Sequence, residues 1–96
     1  MSDQQRRSVD AAMLPIVASL APAGVLAAHW LPDRDGSPVV WIRVRRESDR
    51  VAVESFSWVL PQVQIILTRQ GVHPDTVLAL RMEVTSGEAE DRLFEP

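Results

Sequence analysis

Two rhythms of apolar and polar positions run along this chain, and each change of rhythm marks an element. From Asp3 to Leu20, the residues Val9, Ala12, Met13, Ile16, Val17 and Leu20 recur at spacings of three and four. That spacing predicts an amphipathic helix, capped by Ser2 or Asp3 and ended by Ala21-Pro22-Ala23-Gly24. Pro15 lies inside it, where a proline removes one backbone bond and crowds Ala11 at a cost of about 3 kcal/mol. A bend there, or a helix that begins at Pro15, is the expectation. Val25–Leu31 and Val39–Arg46 are rich in strand formers and flank Asp35-Gly36, a strong hairpin signal. With that dipeptide at the turn centre, Trp30 stands opposite Trp41, His29 opposite Ile42 and Ala28 opposite Arg43. Val40, Ile42 and Val44 then share one side, and Val39, Trp41, Arg43 and Arg45 the other. A register change of one residue would break the tryptophan pair.

Asp49–Gln70 reads as one helix that is apolar on two sides. Ala52, Val53, Phe56, Val59, Leu60, Val63, Ile66 and Leu67 form a broad stripe that belongs against a core. Val51, Trp58 and Ile65 lie almost opposite, where a surface helix carries charge. Ser48 or Asp49 is the expected cap and Gly71 the stop. A rival reading makes Arg50–Ser57 a third strand, with a shorter helix that holds Pro61 in its first turn. Further on, Thr76, Leu78, Leu80, Met82 and Val84 alternate with Val77, Ala79, Arg81 and Glu83, predicting a strand entered through His73-Pro74-Asp75. Residues 86–96 are an acidic tail, mobile or weakly helical.

The expected fold is α+β: a single small domain over residues 1–96, ordered helix–strand–strand–helix–strand. A mainly antiparallel three-stranded sheet packs on the helices. Residues 1–23 supply the N-terminal helix, 24–85 the hairpin, helix and strand, and 86–96 the tail. A length of 96 residues suits one core, and 46% hydrophobic with 24% charged residues is a globular balance. The net charge of −3 disfavours double-stranded nucleic acid, whose binding needs a basic surface. The lack of cysteine excludes disulfides and thiolate metal sites, and permits a cytoplasmic location. The apolar run Met13–Ala28 is too short and too broken by Pro15, Pro22 and Gly24 for a membrane helix.

No residue pattern calls for catalysis, a cofactor or a metal. His29, in an apolar strand, is expected half-buried against a backbone carbonyl, and His73 belongs to a surface turn. Two isolated histidines do not make a ligand set. Asp33-Arg34-Asp35-Gly36 opens like a calcium loop, but Val39 and Trp41 occupy the later oxygen positions. No acid–base pair or nucleophile elbow can be named.

The aromatic residues point elsewhere. Three tryptophans in a chain without tyrosine are a large allotment, and Trp and Arg are the types enriched at binding hot spots. The functional reading is a small, non-enzymatic, cytoplasmic protein-interaction module, either self-associating as a homo-oligomer such as a homodimer or an accessory subunit of a larger complex. Its anchors are Trp58, Ile65 and Val51 on the helix with Trp30 and Trp41 on the hairpin, and Arg43, Arg45 and Arg69 orient the partner. The alternative is an acidic inhibitor or immunity-type protein that blocks a basic nucleic-acid-binding partner. It would bind through Asp33, Asp35, Glu83, Glu88, Glu90, Asp91 and Glu95. A third class, small-ligand binding or catalysis, requires a concave pocket holding His29 and an arginine. In the tail, Glu90-Asp91-Arg92-Leu93-Phe94 resembles the bacterial sliding-clamp-binding pentapeptide, with Glu90 in the place of its glutamine. An acidic tail folded against its own domain is the plainer account of those residues.

Overall fold

The computed structural model describes residues 1–93. Helix α1 spans Asp3–Leu20, and Ser2 is its cap, the hydroxyl accepting the Gln5 N–H at 3.1 Å. The helix runs through Pro15 and buries Val9, Ala12, Ile16 and Leu20. A 3₁₀ turn (Ala21–Ala23) leads into β1 (Val25–Pro32), which pairs antiparallel with β2 (Pro38–Val44). Strand β3 (Arg81–Ser86) lies on the far side of β2 and runs parallel to it, so the sheet is mixed, in the order β1-β2-β3. Parallel neighbours require a long crossover. Here α2 (Glu47–Ser55), α3 (Val59–Arg69) and α4 (Pro74–Leu78) supply it, and α5 (Gly87–Leu93) follows β3. The expected α+β class holds.

One apolar core lies between the sheet and its helices. Val40, Ile42 and Val44 meet α1, Val53 of α2, and Val59, Val63, Ile66 and Leu67 of α3, with Val72, Val77 and Leu80 closing it. The overall extents are 42 × 28 × 19 Å. The shortest of these fits one sheet and one helix layer, so the sheet face bearing Trp41, Arg43, Arg81 and Glu83 has no helical layer over its middle.

Several sequence expectations are corrected, and the mainly antiparallel sheet is one of them, since β3 reaches β2 through a helical crossover and so runs parallel to it. The hairpin register differs by one residue: Trp30 stands opposite Val40, His29 opposite Trp41 and Ala28 opposite Ile42. The cause is Asp33, whose carboxylate accepts the N–H groups of Asp35 at 2.9 Å and Ser37 at 3.0 Å. Its carbonyl accepts the Gly36 N–H at 3.1 Å. This builds a longer loop in which Gly36, at φ 81°, is not one half of a two-residue turn. Trp30 consequently faces the core, packs against it and donates its indole Nε1–H to Asp10 Oδ1.

The single helix over Asp49–Gln70 is two helices bent by 78° at Phe56–Trp58. Residues 50–55 are helical, so the strand alternative falls, while Pro61 does occupy the first turn of the second helix. Helix α2 begins at Glu47 rather than after Ser48, and Asp49 reaches back to accept the Arg46 N–H at 3.4 Å. Gly71, at φ 88°, follows the end of α3. The strand expected from Thr76 begins only at Arg81, because His73 caps a short helix instead, its Nδ1 accepting the Asp75 N–H at 3.2 Å with Pro74 in the first turn. Of the tail, Gly87–Leu93 forms α5, in keeping with the helical reading, and buried Ser86 caps it by accepting the Ala89 N–H at 3.0 Å.

Candidate protein-interaction surface

The break between α2 and α3 leaves three large apolar side chains, Phe56, Trp58 and Leu60, exposed close together in the chain. At Ser55 the helix loses its phase, since the Ser55 hydroxyl bonds back to the Ala52 carbonyl at 2.7 Å and Phe56 turns extended. Pro61 lacks an N–H and is best accommodated in a first turn, where none is needed, and the chain restarts at Val59 on a new axis. The two half-helices bury Val53, Val59, Val63, Ile66 and Leu67 as the stripe predicts. Phe56 and Leu60, placed by the same stripe in the core, are instead 39% and 42% exposed. Trp58 is 47% exposed and stacks on Phe56, ring centroids 5.7 Å apart.

Phe56 and Leu60 also line a groove of about 420 Å³ between this elbow and β3. Its floor and walls are Val53, Val59, Leu80, Met82 and Val84, and Glu54, Arg81 and Glu83 reach its border. Sequence reasoning missed the groove because one continuous helix would have closed it. Pro61, flanked upstream by Ser55 and Ser57, was the signal that pointed to the break.

The other anchors are dispersed. Ile65 (47% exposed) lies with Pro61, Gln64, Thr68 and Arg69 around a shallow hollow on the outer side of α3. Val51 is exposed on α2, across the bend, so the straight row Val51–Trp58–Ile65 does not form. The tryptophan pair does not form either, since Trp30 and Trp41 stand on opposite faces of the sheet. Trp41 is half-buried on the uncovered face, stacked on His29 with centroids 6.3 Å apart. His29 is exposed there rather than half-buried against a carbonyl, and it lies outside the groove. Arg43, on the same face, pairs with Glu90 at 2.9 Å.

A group of charged side chains around Glu47 braces the fold. Glu47 Oε1 accepts Arg50 Nε–H at 2.6 Å, and Glu47 Oε2 accepts the Ser86 hydroxyl at 2.6 Å. First the Arg50 hydrogen bond and then that of Ser86 hold the Glu47 carboxyl well below its ordinary 4.5, at about 2. Arg50, which also grips Glu54 at 2.8 Å, is raised further above its usual value. Among the acidic residues of the inhibitor alternative, Glu88 accepts the Glu47 N–H at 2.6 Å, Glu90 pairs with Arg43, and Asp33 builds the turn. Asp35, Glu83 and Asp91 are exposed, and Glu95 lies outside the described residues, as does Phe94 of the clamp-like pentapeptide. Among the described residues no three His, Asp or Glu side chains are grouped to hold a metal ion, and no single helix is long and apolar enough to cross a membrane. No family model matches the chain, and no curated protein or solved structure matches it significantly.

Proposed function

We propose that this chain is a small, non-enzymatic, cytoplasmic protein-interaction module, self-associating or an accessory subunit of a larger complex, that binds through the α2–α3 elbow. The observation that carries this reading is the joined exposure of Phe56, Trp58 and Leu60 beside the apolar groove along β3. A folded chain gains by burying such side chains, and contiguous apolar surface rimmed by polar groups is characteristic of interaction sites. Aromatic anchors also carry a large share of binding energy at protein interfaces. Trp41 with His29 on the uncovered sheet face is a second, smaller contact, and Arg69 beside Ile65 is a peripheral one. Trp30, packed on the core and bonded to Asp10, serves the fold. The engagement of Glu88, Glu90 and Asp33 by the chain's own donors weighs for the apolar reading over the acidic inhibitor.

Trp58→Glu tests it. The indole is half exposed, so circular dichroism and the melting temperature should stay close to wild type. Association should weaken about tenfold or more, read as solution mass for self-association and as recovery of bound protein from the native cell for a larger complex. Association equal to wild type in both measurements would refute the elbow as the binding surface.

A further inference from the structure

The two edges of the sheet differ. The outer edge of β1 is interrupted by an irregularity between Val25 and Ala27 and ends in Pro32, both features that discourage addition of another strand. Strand β3 has neither. Among the described residues β2 is its only strand neighbour, which leaves its outer row of N–H and C=O groups without a strand partner. The apolar groove runs beside it, with Met82 and Val84 facing the helical side and Arg81 and Glu83 facing the uncovered side.

We infer that β3 pairs antiparallel with β3 of a second copy about a two-fold axis through Met82, joining the two sheets into one. This rests on the self-associating branch of the proposed function and names the surface and the partner. Charge order along the strand selects both. With the axis at Met82, Arg81 of each copy stands opposite Glu83 of the other, on both sides of the axis. An axis at Glu83 or Arg81 sets like charges face to face, and one at Val84 leaves both charges without an opposite partner. On the helical side the same register places Leu80 opposite Val84 and Met82 opposite its mate. The two grooves, with Phe56 and Leu60, then meet along the seam, where the pliable Met82 thioethers fill uneven space.

Because the chain has no cysteine, single thiols report the seam directly. Wild-type protein should sediment as a dimer at concentrations below about 1 mM. Mild oxidation should link Met82→Cys into a covalent dimer, since residues directly opposite come within disulfide reach. Val84→Cys, whose opposite residue is Leu80, should stay unlinked. Arg81→Glu should weaken dimerisation about tenfold or more, and adding Glu83→Arg should restore it. Arg81 also lies 3.7 Å from Asp33, and the double variant keeps that local change, so recovery reports the seam alone. A dimer in which Val84→Cys links as readily as Met82→Cys, or in which the double variant is no better than the single, overturns the seam while leaving self-association standing. A wild-type monomer at about 1 mM overturns the homodimer, and loss of another bound protein from Trp58→Glu would then still support the interaction reading.

Discussion

Glu47 ties α2 to both β3 and α5. Its carboxylate joins Arg50 of its own helix to Ser86 at the end of β3, while its backbone N–H bonds Glu88 of α5. Its carboxyl titrates near 2 in the folded chain against an ordinary 4.5. A group held below its unfolded value contributes stability that is complete above about 4.5 and disappears as pH falls toward about 2. The urea midpoint should therefore drop through that interval in wild type, and Glu47→Gln should flatten the drop while starting from a lower midpoint at neutral pH. Asp33 shows how much one short side chain decides. Its two accepted N–H groups lengthen the hairpin loop, and that alone moves Trp30 from one face of the sheet to the other.

The α2–α3 break redistributes the apolar stripe. A straight helix would hold Phe56 and Leu67 equally deep, whereas the bend leaves Leu67 fully buried and Phe56 39% exposed. Leu67→Ala should cost about 2–5 kcal/mol in denaturant unfolding, the range for emptying a closed apolar site. Phe56→Ala should cost only about 1 kcal/mol, because solvent already reaches its ring and the space left opens to the groove. Equal costs would mean that the helix is continuous in solution.

With a sheet and one helical layer, the domain covers the middle of only one sheet face, and α5 braces one end of the other through Arg43–Glu90. Arg50 is tied to Glu47 and Glu54, and Arg43 to Glu90, while the proposed elbow surface is built of Phe56, Trp58 and Leu60, so the affinity it offers is mainly apolar. Raising salt from about 0.1 M to about 1 M shortens the screening length from about 10 Å to about 3 Å. Association through the elbow should change by less than about threefold over that range, since exposed ion pairs contribute little. Binding by an acidic face would fall steeply, and titration calorimetry or sedimentation in the two salts separates them.

The α+β class, the first helix with its cap narrowed to Ser2 or Asp3, both hairpin strands and the buried side of β2 were legible in the sequence, because each depends on local pattern. So was the excess of apolar side chains between Val51 and Leu67, which outruns what one small core can take up. The elbow, the short helix at Pro74–Leu78, the loop organised by Asp33 and the parallel placing of β3 were not. Local periodicity cannot say which of two compatible turns a carboxylate will brace, or whether a helix crossing a proline bends or restarts. Those choices depend on contacts between residues far apart in the chain, as where Gln5 of α1 accepts the His73 N–H at 2.8 Å and donates to the Gly71 carbonyl at 3.2 Å. The sequence settled that apolar surface would be left over. The packed chain settled where part of it gathers beside a groove: along β3 and the elbow, where two half-helices diverge and leave Phe56 and Leu60 open to solvent.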